Sequence, residues 1–188
     1  MATSSSEPIA AAGRSSLLRP AVALVGAVAA AGAAARAGLH FEAFLVVAFV
    51  AVLAAISVVD LEERRVPNRL VLPATAIALL AQGLLHTDRF LECLLAGAGA
   101  ALMFLLAILI SRNSVGMGDV KLVFLIGVVL GWALVVAFFV TGVASALVAL
   151  VLISRQGLGA RKQSIPFAPL LALGAVAALL IGEPAIYS

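Results

Sequence analysis

Seven apolar stretches follow one another along the chain, and the short segments between them hold most of its charge. No other feature limits the fold as much. They run from Ala21 to Leu39, Phe41 to Val59, Leu70 to Leu85, Leu91 to Ile110, Val120 to Leu130, Trp132 to Ile153 and Phe167 to Ile181. A helix that crosses a bilayer needs about 20 mostly apolar residues. Charged residues make up 11% of the 188, against about 25% in soluble domains, and mean hydropathy is +1.23. The expected fold is all-α: a polytopic membrane helix bundle of about seven transmembrane helices, with the lipid bilayer as its main partner. The fifth stretch reaches only about 17 Å at 1.5 Å per residue, so it must tilt little, extend at its ends or be shielded by neighbours. Gly131 is placed to break it from the sixth, because glycine is the usual residue just past a helix end.

Threading seven spans with the amino terminus inside places Arg14, Arg19, Arg64, Arg65, Arg69, Arg112, Lys121, Arg155, Arg161 and Lys162 on the cytoplasmic side, and only Arg36 and Arg89 outside. That asymmetry follows the positive-inside rule. The net charge of +3 is thus a topology signal, and no nucleic-acid partner is expected. Residues Met1 to Arg19, polar and rich in Ser and Ala, are expected to form a mobile cytoplasmic tail. The Ala-rich segment after them reads either as a first span or as the apolar core of a signal peptide. Both readings start the next span outside.

The single cysteine, Cys93, permits no intrachain disulfide and no cysteine zinc cluster. It reads as a small packing residue. His40 and His86 fall at the outer edge and read as interfacial loop residues. The sequence contains no HExxH, GxSxG or GxxxxGK[ST] stretch, so metalloprotease, serine-hydrolase and phosphate-loop chemistry lack their usual supports. No cofactor or metal is expected.

Nine acidic residues remain to be sorted. Ionisable groups in or beside a span are costly and usually serve a purpose. Glu7 lies in the tail, and Glu42, Asp88, Glu92 and Glu183 lie near the outer boundary, where a solvated loop charge is the ordinary explanation. Glu62 and Glu63 are expected to pair with Arg64, Arg65 or lipid headgroups. Asp60 ends the second apolar run and precedes LEERRVPNRL, which reads as a helix end and a tight turn before Pro67 and Asn68. Asp119 closes SVGMGD and opens the fifth span, where a carboxylate suits the unpaired backbone donors of a first helical turn. Gly116 and Gly118 beside it allow positive φ and let another backbone approach closely, as an extended peptide substrate must. Lys121 reads either as a headgroup contact or as a charge that tunes the local field.

Asp60 and Asp119 end different helices at one membrane face, so bundle packing can bring their carboxylates together around a water. Two such groups share a proton: the ionised one takes a proton from water while the protonated one polarises a carbonyl, the chemistry of an aspartic protease. A proton- or cation-coupled transporter would use the same carboxylates near the midplane, often within an internal repeat, and neither feature is visible. A structural role in a secretion complex is a third reading.

Three separated segments, DLEERRVPNRL (Asp60 to Leu70), GMGDVKL (Gly116 to Leu122) and SIPFAPLLALG (Ser164 to Gly174), resemble those of the type IV prepilin peptidases, the polytopic GxGD aspartic proteases. The matching region is about 41–181, within a transmembrane peptidase domain expected over 20–188. The resemblance implies that Asp60 and Asp119 are the catalytic pair, that Gly116 and Gly118 form the substrate-binding loop before the second, and that the substrate is the amino-terminal leader of a prepilin-like protein. It also implies a site on the cytoplasmic face of the bacterial inner membrane. Ala168 stands where the family commonly has glycine. Larger members carry a cytoplasmic domain with paired CxxC motifs linked to N-methylation; this chain resembles the short, Flp/Tad-type, peptidase-only branch, for which cleavage without methylation is expected.

Overall fold

The computed structural model describes Gly26 and residues 41–63, 65–110, 116–156 and 167–181. These form six helices: α1 (Phe41–Glu63), α2 (Asn68–Leu85), α3 (Phe90–Ile110), α4 (Met117–Leu130), α5 (Leu134–Gln156) and α6 (Ala168–Ile181), with one 3-10 turn at Gly131–Ala133. No strand occurs among the described residues. The all-α, polytopic membrane class is therefore the observed one, and six of the expected spans each coincide with a helix. The Met1 to Arg19 tail and the Ala21 to Leu39 segment lie outside the described residues, apart from Gly26, which is helical.

Two helix ends differ from expectation in ways that bear on the site. α1 does not stop at Val59 but runs through Asp60 to Glu63, since Leu61, Glu62 and Glu63 are good helix formers and the backbone restriction comes only with Pro67. α4 begins at Met117, three residues before the apolar run. Asp119 thus lies inside the first turn of α4, and Gly116 is the residue that caps it.

Met117–Ser154 is a predominantly apolar stretch of 38 residues, and a straight helix of that length would measure about 57 Å, nearly twice the hydrocarbon thickness. Gly131 breaks it, as expected, with φ 57° and ψ −133°, a backbone setting that side chains disfavour. α4 is then about 21 Å long and is shielded by its neighbours. Every residue from Leu122 to Leu130 except Phe124 is buried, as expected of a helix that is apolar all round. It packs most extensively on α3, then on α2 and α6, while α5 lies chiefly against α6 and α6 against α1. At the α3–α4 crossing Gly127 touches the backbone of Gly97, and on α6 Gly174 faces Ala137 O and Thr141. Small residues at such crossings let membrane helices approach closely. Large apolar side chains such as Leu84, Leu106, Ile110, Phe139 and Leu150 point outward, which suits lipid rather than water.

The stop of α4 is secured by polar side chains from both neighbouring helices. Gln82 of α2, 3% exposed, donates through Nε2 to Val128 O at 3.2 Å, and Glu92 of α3 accepts from Trp132 N–H at 3.4 Å. Backbone groups left open by a helix end need such partners where water is scarce. Glu92 is therefore half-buried and bonded rather than an ordinary solvated loop charge.

Candidate active site

Asp60 projects from the last turns of α1 into the protein and is only 6% exposed. Its Oδ2 accepts a hydrogen bond from Ala168 N–H at 3.1 Å. Ala168 is the first residue of α6, and an N–H there has no partner within its own helix. The positive end of the helix dipole adds to the attraction for a carboxylate. The first and third sequence motifs thus meet through one backbone donor.

Asp119 is the third residue of α4. Its Oδ2 accepts from Gly116 N–H at 3.2 Å, and its own N–H donates to Gly116 O at 3.0 Å. This is one half of a capping box, and each carboxylate consequently rests on the start of a helix. Asp119 is half-buried and lies at the same end of the bundle as Asp60, where Gly118 packs on Val66. The structure brings together the two aspartates singled out in the sequence.

Of the two properties that glycine offers here, close approach is used at Gly118 and positive φ at neither position. Gly116 has φ −80° and ψ 147°, an extended setting open to any residue, and among the described glycines only Gly131 has positive φ. Gly118 matters for close approach: a Cβ there would lie 2.6 Å from Val66 Cβ, so the first turn of α4 rests directly on the turn after Asp60. Lys121 Nζ donates to Asn68 Oδ1 at 3.0 Å. Asn68 opens α2, so the first and second motifs touch at two places.

Sequence reasoning missed Val66, Asn68 and the Ala168 N–H, all of which lie inside the motif segments. His86 was expected in an interfacial loop, yet it is 6% exposed, follows α2 directly, and has an unpartnered buried Nε2. With Gln82 it lines a cavity of about 90 Å³ among α1, α2 and α4, at the end opposite the aspartates. Among the described residues no group of three His, Cys, Asp or Glu side chains is arranged to hold a metal ion.

The helices and the gathered side chains define a polytopic helical membrane protein with two carboxylates from separate helices at one end of its bundle. A sequence model of the type IV leader peptidase family matches residues 47–182; the chain belongs to that family and is a peptidase. It is 39% identical over 180 residues to the "Prepilin leader peptidase/N-methyltransferase" of Bacillus subtilis (strain 168), an alignment covering 92% of this chain and 70% of the relative. The protein of the same name from Burkholderia pseudomallei (strain 1026b) is 36% identical over 141 residues, 71% of this chain and 45% of the relative. Against that relative the chain spans less than half the length. No solved structure matches the chain.

Proposed function

We propose that the chain removes the amino-terminal leader of a type IV prepilin of the Flp/Tad-like kind, with Asp60 and Asp119 activating the water that cuts the peptide. The observation that carries this reading is the convergence of three motifs, far apart in sequence, on these two carboxylates. The names of the relatives supply the substrate.

One carboxylate of the pair is ionised and takes a proton from water, while the other, protonated, donates to the scissile carbonyl oxygen. The hydroxyl oxygen bonds to the carbonyl carbon, the carbon–nitrogen bond breaks, and the new amine leaves with a proton returned from the pair. The extended backbone at exposed Gly116 and the adjoining Gly118 offer an edge for the leader to lie along. Arg65 and Lys121 lie at the same end as the aspartates, which supports a site on the cytoplasmic side of the inner membrane. Carboxylates at helix ends suit a peptidase acting at the membrane surface better than an ion path through the midplane.

The sequence holds one cysteine, Cys93, and hence no paired CxxC motif, which favours cleavage without N-methylation. Co-expression with a prepilin, with leader removal followed on a gel, tests the reading: Asp60→Asn and Asp119→Asn should both be inactive. Cleavage that persists in both variants would overturn it. Mass spectrometry of the cut pilin should find an unmodified amino terminus, and an enzyme-dependent methyl group would count against the peptidase-only assignment.

A further inference from the structure

The segment that carries Asp60 and the segment that carries Asp119 touch at two points. Gly118 packs on Val66 closely enough that no Cβ fits between them, and Lys121 Nζ donates to Asn68 Oδ1 at 3.0 Å. The order along each segment is informative. On one side Asp60 is followed by the end of α1, Val66 and then Asn68; on the other Gly118, Asp119 and Lys121 follow within four residues. Asp119 is therefore bracketed by the two contacts.

A single apolar contact at Gly118 would act as a pivot about which the first turn of α4 can rotate. A second, directional contact three residues later removes that freedom. We propose that the Lys121–Asn68 hydrogen bond is a positioning tie: it fixes the first turn of α4 against the start of α2 and so sets the placement of Asp119 relative to Asp60. Lys121 and Asn68 are positioning residues that act through Asp119, and the inference rests on the carboxylate-pair reading above. The bond is exposed to solvent, so its share of overall stability is small. Its effect on rate is larger, because a displacement of about 1 Å at reacting groups lowers the rate roughly a hundredfold.

Three variants measured on a prepilin in liposomes test the tie. Lys121→Met keeps the apolar stem and removes the donor, Asn68→Ala removes the acceptor, and each should lower kcat about tenfold with KM little changed. Two groups that act only through each other are non-additive, so the double variant should be no slower than either single one. Asn68→Asp keeps an acceptor oxygen facing the ammonium and should retain kcat within about twofold of the parent. If Lys121→Met fails to fold, as judged by thermal unfolding in detergent, Asn68→Ala compared with Asn68→Asp gives the same decision. Losses that multiply in the double variant would overturn the tie. So would a Lys121→Met defect that tracks the anionic lipid content of the liposomes while Asn68→Ala is silent, the signature of a headgroup contact. Run beside these, Asp60→Asn and Asp119→Asn separate the two ideas. If both aspartate variants cleave, the pair fails and the tie with it; if both are dead and Lys121→Met matches the parent, the tie alone fails.

Discussion

At the end of the bundle that carries the aspartates, side-chain oxygens accept from backbone groups at helix starts: Asp60 from Ala168 N–H and Asp119 from Gly116 N–H. At the other end Gln82 donates to Val128 O near the point where α4 stops, and Glu92 accepts from Trp132 N–H just beyond it. Both ends thus use side chains to satisfy backbone that helices leave open. They differ in what is held. At the first end the backbone holds the side chains, fixing each carboxylate in place. At the second the side chains hold the backbone, and two polar atoms, Gln82 Oε1 and His86 Nε2, stay buried without partners. On the proposed reading the first arrangement serves chemistry, while the second lets a short central helix end inside the protein.

The largest expected contrast is in activity. Asp60→Asn and Asp119→Asn retain an oxygen that accepts the same N–H bonds, so the fold should persist, while cleavage falls by about a thousandfold or more. A prepilin cleavage assay, paired with thermal unfolding, checks both halves. An inactive Gln82→Leu with an intact fold would break the comparison from the other side.

Next in size is Gly118→Ala. Its Cβ would meet Val66 Cβ at 2.6 Å, and because the obstacle is the root of a side chain rather than its tip, the turn and α4 must separate. Overpacking of this kind costs about 1–3 kcal/mol. Since Asp119 is the next residue, kcat should fall more steeply than stability. Kinetics measured per folded enzyme distinguish this from simple unfolding, and a variant that loses stability but keeps kcat would show that the two segments need not touch.

The Ala168 donor can be removed without altering an acidic residue. Proline is well tolerated as the first residue of a helix, so Ala168→Pro deletes the N–H that holds Asp60 and leaves α6 otherwise able to form. A hydrogen bond to a charged group contributes about 1.5–3 kcal/mol, and cleavage should fall about tenfold or more. Ala168→Gly, which keeps the N–H, should cleave far better than Ala168→Pro. Equal rates for the two would mean that this bond does not orient Asp60.

The two ends were unequally legible in the sequence. Asp60 and Asp119 stood out because charge is rare in an apolar chain, and a rare group can be sorted by topology. Gly131 was legible as a break because glycine is the usual residue just past a helix end. The backbone donors that hold Asp119 were legible as those of a helix start, but what holds Asp60 was not: its partner is a backbone N–H, which every residue but proline carries, so Ala168 gave no compositional signal. Glycine spacing before Asp119 pointed to close approach but not to Val66 as the neighbour. Gln82, His86 and Glu92 were read as ordinary boundary residues or passed over, because whether a polar side chain faces water or another helix depends on packing that one sequence does not display.

Gln82→Leu should lower stability by about 1–3 kcal/mol through the stranded Val128 carbonyl, with kcat per folded molecule unchanged. Loss of the unpartnered Oε1 offsets part of that penalty, so the lower half of the range is expected.

The smallest effect belongs to Glu92→Gln. Its bond to Trp132 N–H is long at 3.4 Å, and glutamine retains an oxygen that can accept it. What is lost is mainly the attraction of a negative charge for the start of α3, whose first turn contains Glu92, a contribution of about 0.3–1 kcal/mol. For a chain of this size 1 kcal/mol moves Tm by about 2–4 °C, so thermal unfolding in detergent should show a fall of no more than about 4 °C, and cleavage should match the parent. A large drop in cleavage without a matching drop in Tm would mean that the far end of α4 is coupled to Asp119 at its start, and that the division between a catalytic end and a supporting end is too sharp.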